Sequence, residues 1–600
     1  MKSLGASLHL GAIVRDETVT FRVWAPRCRS LEVVIEGRRP LAMSRHDDGI
    51  FETVVPGLPA GTRYQYRLDG ERYRPDPTSR FQPEGVHGPS MVVDPTAYAW
   101  TDQAFPGHAS RDLVIYELHV GTFTRAGTFE ATIAHLPQLV DLGVTAIELM
   151  PVAEFPGSRN WGYDGVHLFA PQSTYGGPRG LRRLVDACHG HGLSVFLDVV
   201  YNHLGPEGNY LGEFGPFFTD RYRTPWGGAV NFDGPDGEGV RRHFVENARA
   251  WIRDFHLDGL RLDAIHAIFD ESPVHILTEI ATAAREEARA LGRPVHLTAE
   301  SHDNDRRIVL PPEEGGIGLD AVWSDDFHHA VHARLTGERA GYYADFTEPG
   351  RLATALSEGF AYQGEHSEYF GRDRGTPSAD LPGERFVVCA QNHDQIGNRA
   401  LGDRLSTIVS FEGVKLAAGL LLAAPAIPLL FMGEEYGETA PFQFFTSFLD
   451  RDLAEAVRKG RTAEFSRFAW QGGIPDPGEP ATFVRSRLSH TLAGAPRHRE
   501  LYLYYRRWLE LRRTHLALGT RGKERTVAKI DPTGTLLTLV RDAESGPGVR
   551  LFANLTNEAQ PGPAIPADWR VLIDSDDRRF AGHGRPALAP YHVLVYEAPR

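Results

Sequence analysis

Eight short apolar runs, each of strand length and separated by helix-like segments, constrain this chain more than any other feature of it. They are VIYELHV (114–120), AIELMPV (146–152), SVFLDVV (194–200), GLRLDAI (259–265), VHLTAES (295–301), AVWSDDF (321–327), RFVVCAQNHD (385–394) and PLLFMGEEY (428–436). With stretches such as FEATIAHLPQLVDLG and LRRLVDACHGHG between them, the runs predict βαβ crossovers and a parallel sheet. Eight such units predict an α/β fold, a (β/α)₈ barrel. Most runs begin apolar and end in Asp, Glu, His or Asn, which suits a barrel whose active site lies at the C-terminal ends of its strands. Long insertions after the third strand (202–245) and the sixth (328–384) are expected to build the rim of a cleft.

The flanks have a different texture. Residues 1–95 alternate apolar and polar positions in short runs such as VTFRVWAP, SLEVVIEG and RYQYRLDG, the pattern of an N-terminal immunoglobulin-like β-sandwich. A Pro-rich passage, YRPDPTSRFQPEGVHGPS, closes it and wraps onto the catalytic barrel, assigned to residues 96–515. From 516 to 600 the β texture returns in TLLTLVRD, VRLFANLT, RVLIDS and YHVLVYEA, which predicts a C-terminal β-sandwich.

A formal charge of −14 argues against nucleic-acid binding, which needs clustered Lys and Arg, and favours a neutral substrate. Cys28, Cys188 and Cys389 are too scattered for a disulfide framework or a cysteine zinc site, so a reducing compartment is expected. The opening residues MKSLGASLHLGAIVRDE lack an apolar signal core, and the expected location is the cytoplasm. The most membrane-like stretch, LAAGLLLAAPAIPLLFMG (416–433), is divided by Pro425 and Pro428, which predicts a buried helix ending near Ala424 and a buried strand from Leu429 rather than a membrane span.

Two strand-end acids are candidates for glycosidic chemistry with retention, which needs an attacking carboxylate and a proton donor ~5–5.5 Å apart. Asp263 ends strand four and Glu300 ends strand five, so both point toward one barrel mouth. Arg261 shares a strand face with Asp263 by period-two alternation, and a guanidinium there holds the aspartate ionised. Glu300 follows the apolar VHLTA run, where desolvation would raise its pKa toward that of an acid. QNHDQIG puts His393 and Asp394 at the end of strand seven, DVVYNH puts Asp198, Asn202 and His203 at strand three, and WGYDG offers Tyr163 as a sugar platform with Asp164 beside it. Trp161 and Trp323 are readable equally as core or as platforms. The histidines of HGHG (189–192) are expected to be exposed residues of a last helical turn, and His328-His329 a hydrogen-bonding loop pair.

The four blocks DVVYNH, GLRLDAIH, TAES and NHD, in that order on strands three, four, five and seven, resemble those of the α-amylase superfamily of glycoside hydrolases. The resemblance implies Asp263 as nucleophile, Glu300 as acid/base and Asp394 as a clamp on sugar hydroxyls. It also implies that Arg261 orients the nucleophile, that His203 and His393 bond the sugar, that Tyr163 stacks beneath it, and that Asp198 and Asn202 shape the loop floor. The passages WGYDGVHLFAP, WSDDFHHAVHARLTGERAGYYADF, QNHDQIGNRALGDRL and MGEEYGETAPFQFFTSF resemble the trehalose-releasing members of the superfamily. Those cleave the α-1,4 bond joining a terminal trehalose to a maltooligosaccharide, on a substrate made by a maltooligosyltrehalose synthase. Many amylases use the Asn at the Asn202 position as a calcium ligand, but this branch implies no structural calcium, and no cofactor or metal is expected. For selecting trehalose the expected residues are Trp226, as a stacking wall, and His266, as a hydrogen-bond partner. Their alternatives are loop packing and a satisfied backbone contact. A branching or debranching enzyme of the same superfamily, and a non-catalytic α-glucan-binding relative, remain as other readings of the chain.

Overall fold

The computed structural model describes residues 9–466, 473–519, 523–584 and 588–599, so residues 1–8 of the opening stretch lie outside the described residues. The eight apolar runs form a closed parallel barrel. Its strands are β1 (Ile115–Leu118), β2 (Ala146–Leu149), β3 (Ser194–Val199), β4 (Gly259–Leu262), β5 (His296–Glu300), β6 (Ala321–Trp323), β7 (Phe386–Cys389) and β8 (Ile427–Phe431). The strands follow one another round the barrel in chain order, and β8 closes on β1 through Ile115↔Leu429.

Alternation along these strands separates two environments. Ile115, Ala146, Phe196, Ala321, Trp323, Val387, Cys389, Ile427 and Leu429 pack together as an apolar layer distinct from the core that joins strands to helices. Two residues further along, in the same phase, come Glu117, Glu148 and Asp198, with Arg261 paired in register to both Asp198 and Thr298. The barrel is therefore apolar at its floor and charged toward the C-terminal ends of its strands.

The 416–433 stretch divides as expected: a helix over Phe411–Ala423 is followed by β8, and both are buried. No described helix is long and apolar enough to cross a membrane. Other expectations are corrected. His189 is not exposed: it is 4 % accessible in the last turn of Gly177–Gly190, with Nδ1 at 2.8 Å from Asp102 and Nε2 at 2.9 Å from Asp258. His328 and His329 lie on the helix Asp325–Thr336 rather than in a loop, because Asp325 and Asp326 fill its first turn, where acids favour the helix dipole.

The N-terminal strands form two antiparallel sheets facing across a core that includes Val19, Phe21, Val33, Tyr64 and Tyr66. Phe214, from the insertion after β3, enters that core, and Arg72 and Arg74 each reach Glu213 at 2.8 Å. Among the described C-terminal residues there is one five-stranded antiparallel sheet, and its inner residues Leu537, Leu551, Val593 and Val595 share a core with the barrel helices. The insertion after β3 carries a two-stranded hairpin, Phe218–Thr224 with Gly227–Val230, and Trp226 stands at its tip.

Candidate active site

The ends of β3, β4, β5 and β7 converge on a cavity of about 540 Å³ whose walls include Asp263, Glu300, Asp394, Tyr163, His203 and Trp226. At its base lies Arg261, fully buried. Its Nη1 donates to Asp198 Oδ2 at 2.8 Å and to Asp263 Oδ1 at 2.7 Å, while Nη2 is 3.2 Å from Glu300 Oε2. The guanidinium also lies 4.4 Å from the ring centre of Trp323. Trp323 is thus a core residue beneath the site. Trp161, by contrast, is 4 % accessible yet borders the cavity, stacked on Phe442.

Asp263 is gripped from two sides, since Asn202 Nδ2 donates to its Oδ2 at 2.7 Å and to its carbonyl at 2.8 Å. The guanidinium and the amide donor together fix the direction of the carboxylate. Asn202 thus ties the segment after β3 to Asp263 through its amide N–H. Among the described residues, no group of three or more His, Cys, Asp or Glu is placed to hold a metal ion.

Glu300 follows its apolar run, but polar groups meet its carboxylate: besides Arg261, the backbone N–H of Ala264 donates to Oε2 at 2.6 Å. That N–H is available because Ala264 adopts a left-handed conformation, φ 39°, which a residue with a Cβ enters only under strain. The chain bends sharply after Asp263 and presents its amide to the neighbouring strand. Asp394 is the most open of the three acids, with 35 % of its side chain accessible against 10 % for Asp263 and 21 % for Glu300. Its Oδ1 accepts from Asn398 at 3.2 Å.

The remaining expected residues divide between wall and support. Tyr163 borders the cavity, and its hydroxyl donates to Asp198 Oδ2 at 2.7 Å. Trp226, half exposed, stacks on His203 with ring centres 4.2 Å apart and planes 3° from parallel. His266 borders the cavity 4.0 Å from the ring of His302, and among the described residues its buried Nδ1 has no hydrogen-bond partner. His393 and Asp198 lie behind the wall. Burial, opposed by Arg261, pushes the Asp198 carboxyl up to about 7. Burial would lower the His393 pKa, but the Asp394 and Glu117 carboxylates raise it to about 10. Asp164 is not brought to the cavity: its carboxylate accepts from Asn160 at 2.6 Å.

Residues that the sequence reading missed complete the site. Asp325, pushed up to about 7 by burial and by Glu300 and Asp394, borders the cavity at the start of the helix after β6. The insertion after β6 contributes Tyr342, Phe370 and Arg374, and the segment after β8 contributes Phe444 and Arg461. These loop residues carry no period from which their direction could be read. Glu117 and Glu148 could have been found, because they alternate in phase with the polar strand ends.

A family model for the alpha amylase catalytic domain matches residues 99–219, and one for carbohydrate-binding module 48, the isoamylase N-terminal domain, matches residues 9–97. A malto-oligosyltrehalose trehalohydrolase of Saccharolobus solfataricus is 48 % identical over 482 residues, covering 80 % of this chain and 84 % of that protein. One from Arthrobacter ramosus is 46 % identical over 585 residues, covering 96 % and 99 %. The chain belongs to the malto-oligosyltrehalose trehalohydrolase family. It is also similar along its whole length to a crystal structure from Salmonella typhimurium assigned provisionally as an alpha amylase, with a TM-score of 0.90, 42 % identity, and coverage of 98 % of this chain and 99 % of that one. Membership in the family makes the chain a glycosidase.

Proposed function

We propose that this chain hydrolyses, with retention, the α-1,4 bond that joins a terminal trehalose to a maltooligosaccharide. Asp263 attacks the anomeric carbon while Glu300 passes a proton to the departing oxygen of the trehalose unit. Glu300 then takes a proton from water as that water displaces Asp263, and the maltooligosaccharide leaves with its anomeric configuration unchanged. Asp394 holds sugar hydroxyls at the open side. The observation that carries this reading is the sharing of one buried guanidinium by Asp263 and Glu300 at the base of one cavity. A shared guanidinium supports a close pair of carboxyls on neighbouring strands, and a retaining displacement works with the two ~5–5.5 Å apart.

The roles follow from unlike surroundings. Asp263, held by Arg261 and Asn202, is aimed into the cavity. Glu300 spends Oε2 on Ala264 and Arg261, while Oε1 has no hydrogen-bond partner among the described residues and is the oxygen to carry the transferable proton. Trp226, stacked on His203 at the rim, and His266, with an unpaired buried nitrogen, are the candidates for recognising trehalose. A pocket whose polar groups go unpaired with the wrong sugar rejects it more strongly than shape alone does. The substrate is supplied by a maltooligosyltrehalose synthase, which joins this reaction in sequence. With Cys28, Cys188 and Cys389 all buried as free thiols, the cytoplasm is the proposed location.

Chromatography of the products from a maltooligosyltrehalose tests the reading. Free trehalose is expected, together with a maltooligosaccharide whose new reducing end is initially α by NMR. Release of glucose or maltose without trehalose, or transfer onto a glucan acceptor to make branches, would overturn it.

A further inference from the structure

The buried carboxylate of Glu117 has no role in the reaction above, yet the charge network ends on it. It stands on β1, is 1 % accessible, and spends both oxygens on one residue. Oε2 accepts the backbone N–H of His393 at 3.0 Å, and Oε1 meets its ring Nδ1 at 2.5 Å. Nε2, on the other side of the ring, lies 2.6 Å from the Tyr163 hydroxyl, which donates to Asp198 Oδ2 at 2.7 Å. Arg261 Nη1 reaches that same Oδ2 at 2.8 Å and Asp263 Oδ1 at 2.7 Å. An unbroken chain of contacts therefore runs from Glu117 to the attacking carboxylate.

Proton bookkeeping along the chain decides the state of His393. The tyrosine has one hydroxyl proton to give. Asp198 Oδ2, which already receives an N–H from Arg261, is the acceptor for it. The phenol oxygen is left to accept, so Nε2 of His393 carries a proton, and Nδ1 carries another toward Glu117. An imidazole with two N–H groups is a cation, and a buried cation needs a buried anion.

We propose that Glu117 is a positioning residue for the hydrolysis: its charge keeps His393 an imidazolium, which steers the Tyr163 proton to Asp198 and so holds Arg261 on Asp263. The inference rests on the role given above to Asp263. The groups facing His393 from the neighbouring elements fit it. Burial and Arg261, from β4, work against the imidazolium, while Asp394 and Glu117 outweigh them. Glu148, from β2, is pushed well up by burial and then by Glu117 and Asp198, so a second negative charge there is disfavoured while Glu117 is charged. His119, beyond β1, is driven down to about 4 chiefly by burial, so it adds no second cation.

The sign of the pH effect follows. A base whose pKa is raised keeps its proton until the pH climbs through the raised value, about 10 for His393. Without the Glu117 charge that loss moves to lower pH. Neutral Nε2 then accepts the tyrosine proton and withdraws it from Asp198. The test is the pH dependence of kcat and kcat/KM on maltooligosyltrehalose for the wild type, Glu117→Gln and Glu117→Asp, with a thermal melt of each. Glu117→Gln should lower kcat by about 10- to 100-fold with little change in KM, and should move the alkaline limb down by about one pH unit or more. Glu117→Asp keeps the charge and should leave the limb in place even if its rate falls. An alkaline limb unmoved in Glu117→Gln overturns the proposal, as does a limb moved equally by Glu117→Asp, which would make the effect one of fit. Should Glu117→Gln not fold, Glu117→Asp decides alone, a limb in place supporting the proposal and a displaced one overturning it. Failure of the wild type to release trehalose would sink the functional reading instead.

Discussion

Arg261 bears more of the chemistry than any other single side chain, because three carboxylates meet one guanidinium with no access to water. Taking one partner from such a cluster leaves the rest imperfectly compensated, so effects on rate and on stability have to be measured apart. Asp263→Asn keeps the shape and removes the proposed nucleophile; turnover should fall on the order of 10³-fold or more with the melting transition still cooperative. Glu300→Gln should suffer as badly on maltooligosyltrehalose but recover part of its rate on aryl glycosides, whose leaving groups need little protonation. Near-normal activity of Glu300→Gln on the natural substrate would assign the acid to another residue, with Asp325 the first to examine. Arg261 and Asp263 were legible in the sequence because they stand two apart on one strand. Glu117 obeys the same rule, but a strand-interior acid gives no sign of its partner, which is 276 positions away.

Among the elements, the hairpin Phe218–Thr224 with Gly227–Val230 offers the most direct control of specificity. Its tip holds Trp226 flat over His203, and the latter's Nε2 donates to the Tyr163 carbonyl at 2.9 Å, so the rim is tied to the platform beneath the sugar. On the far side of Asp263, His266 and His302 face each other at 4.0 Å. Trp226→Ala should lower kcat/KM for maltooligosyltrehalose more than for a plain maltooligosaccharide, by about tenfold in the ratio, since a lost stacking wall is equivalent to ~1–3 kcal/mol. His266→Ala should move the ratio the same way. If neither variant changes it, selection lies in the segment after β8, where Phe444 and Arg461 border the same cavity. The barrel strands were legible because their apolar runs are short and end in polar residues. The rim was not, because its side chains are placed by contacts between insertions. His189 misled for a related reason: its partners Asp102 and Asp258 come from separate segments, and only the fold brings them to both faces of the ring.

In the whole molecule, the segment beyond residue 515 is a structural part of the barrel. The helix Phe411–Ala423 leads directly into β8, and the carbonyls of its last turn would be orphaned at a buried end. Arg512 covers the carbonyls of Leu422, Ala424 and Ala426 at 2.8, 2.7 and 2.9 Å. From the C-terminal sheet, Arg541 reaches those of Ala423 and Ala424 at 3.0 and 3.3 Å. Both cations sit where the helix dipole favours them. The same helix sends Lys415 outward to the carbonyls of Ser575 and Phe580 at 2.6 and 3.1 Å. Lys523, which burial pushes down to about 8, reaches back to the carbonyl of Glu358 at 2.7 Å. Removing residues 516–600 would therefore take away the carbonyl acceptors of Lys415 and the Arg541 partner of Ala423, and would return to water the apolar surface that Leu537, Leu551, Val593 and Val595 cover. At ~1.5–3 kcal/mol for each large apolar side chain returned to water and ~0.5–1.5 kcal/mol for each lost hydrogen bond, the loss is comparable with the entire stability of a domain. The truncated chain should fail to accumulate as a folded protein, and calorimetry of the intact chain should show barrel and C-terminal sheet melting in one transition. Arg541→Met is the milder form of the experiment: it should lower the melting temperature by several degrees and leave kcat/KM at room temperature within about twofold, since Arg541 lies outside the cavity wall. A truncated chain that releases trehalose at the full rate and melts where the intact one does would make the C-terminal sheet an independent appendage.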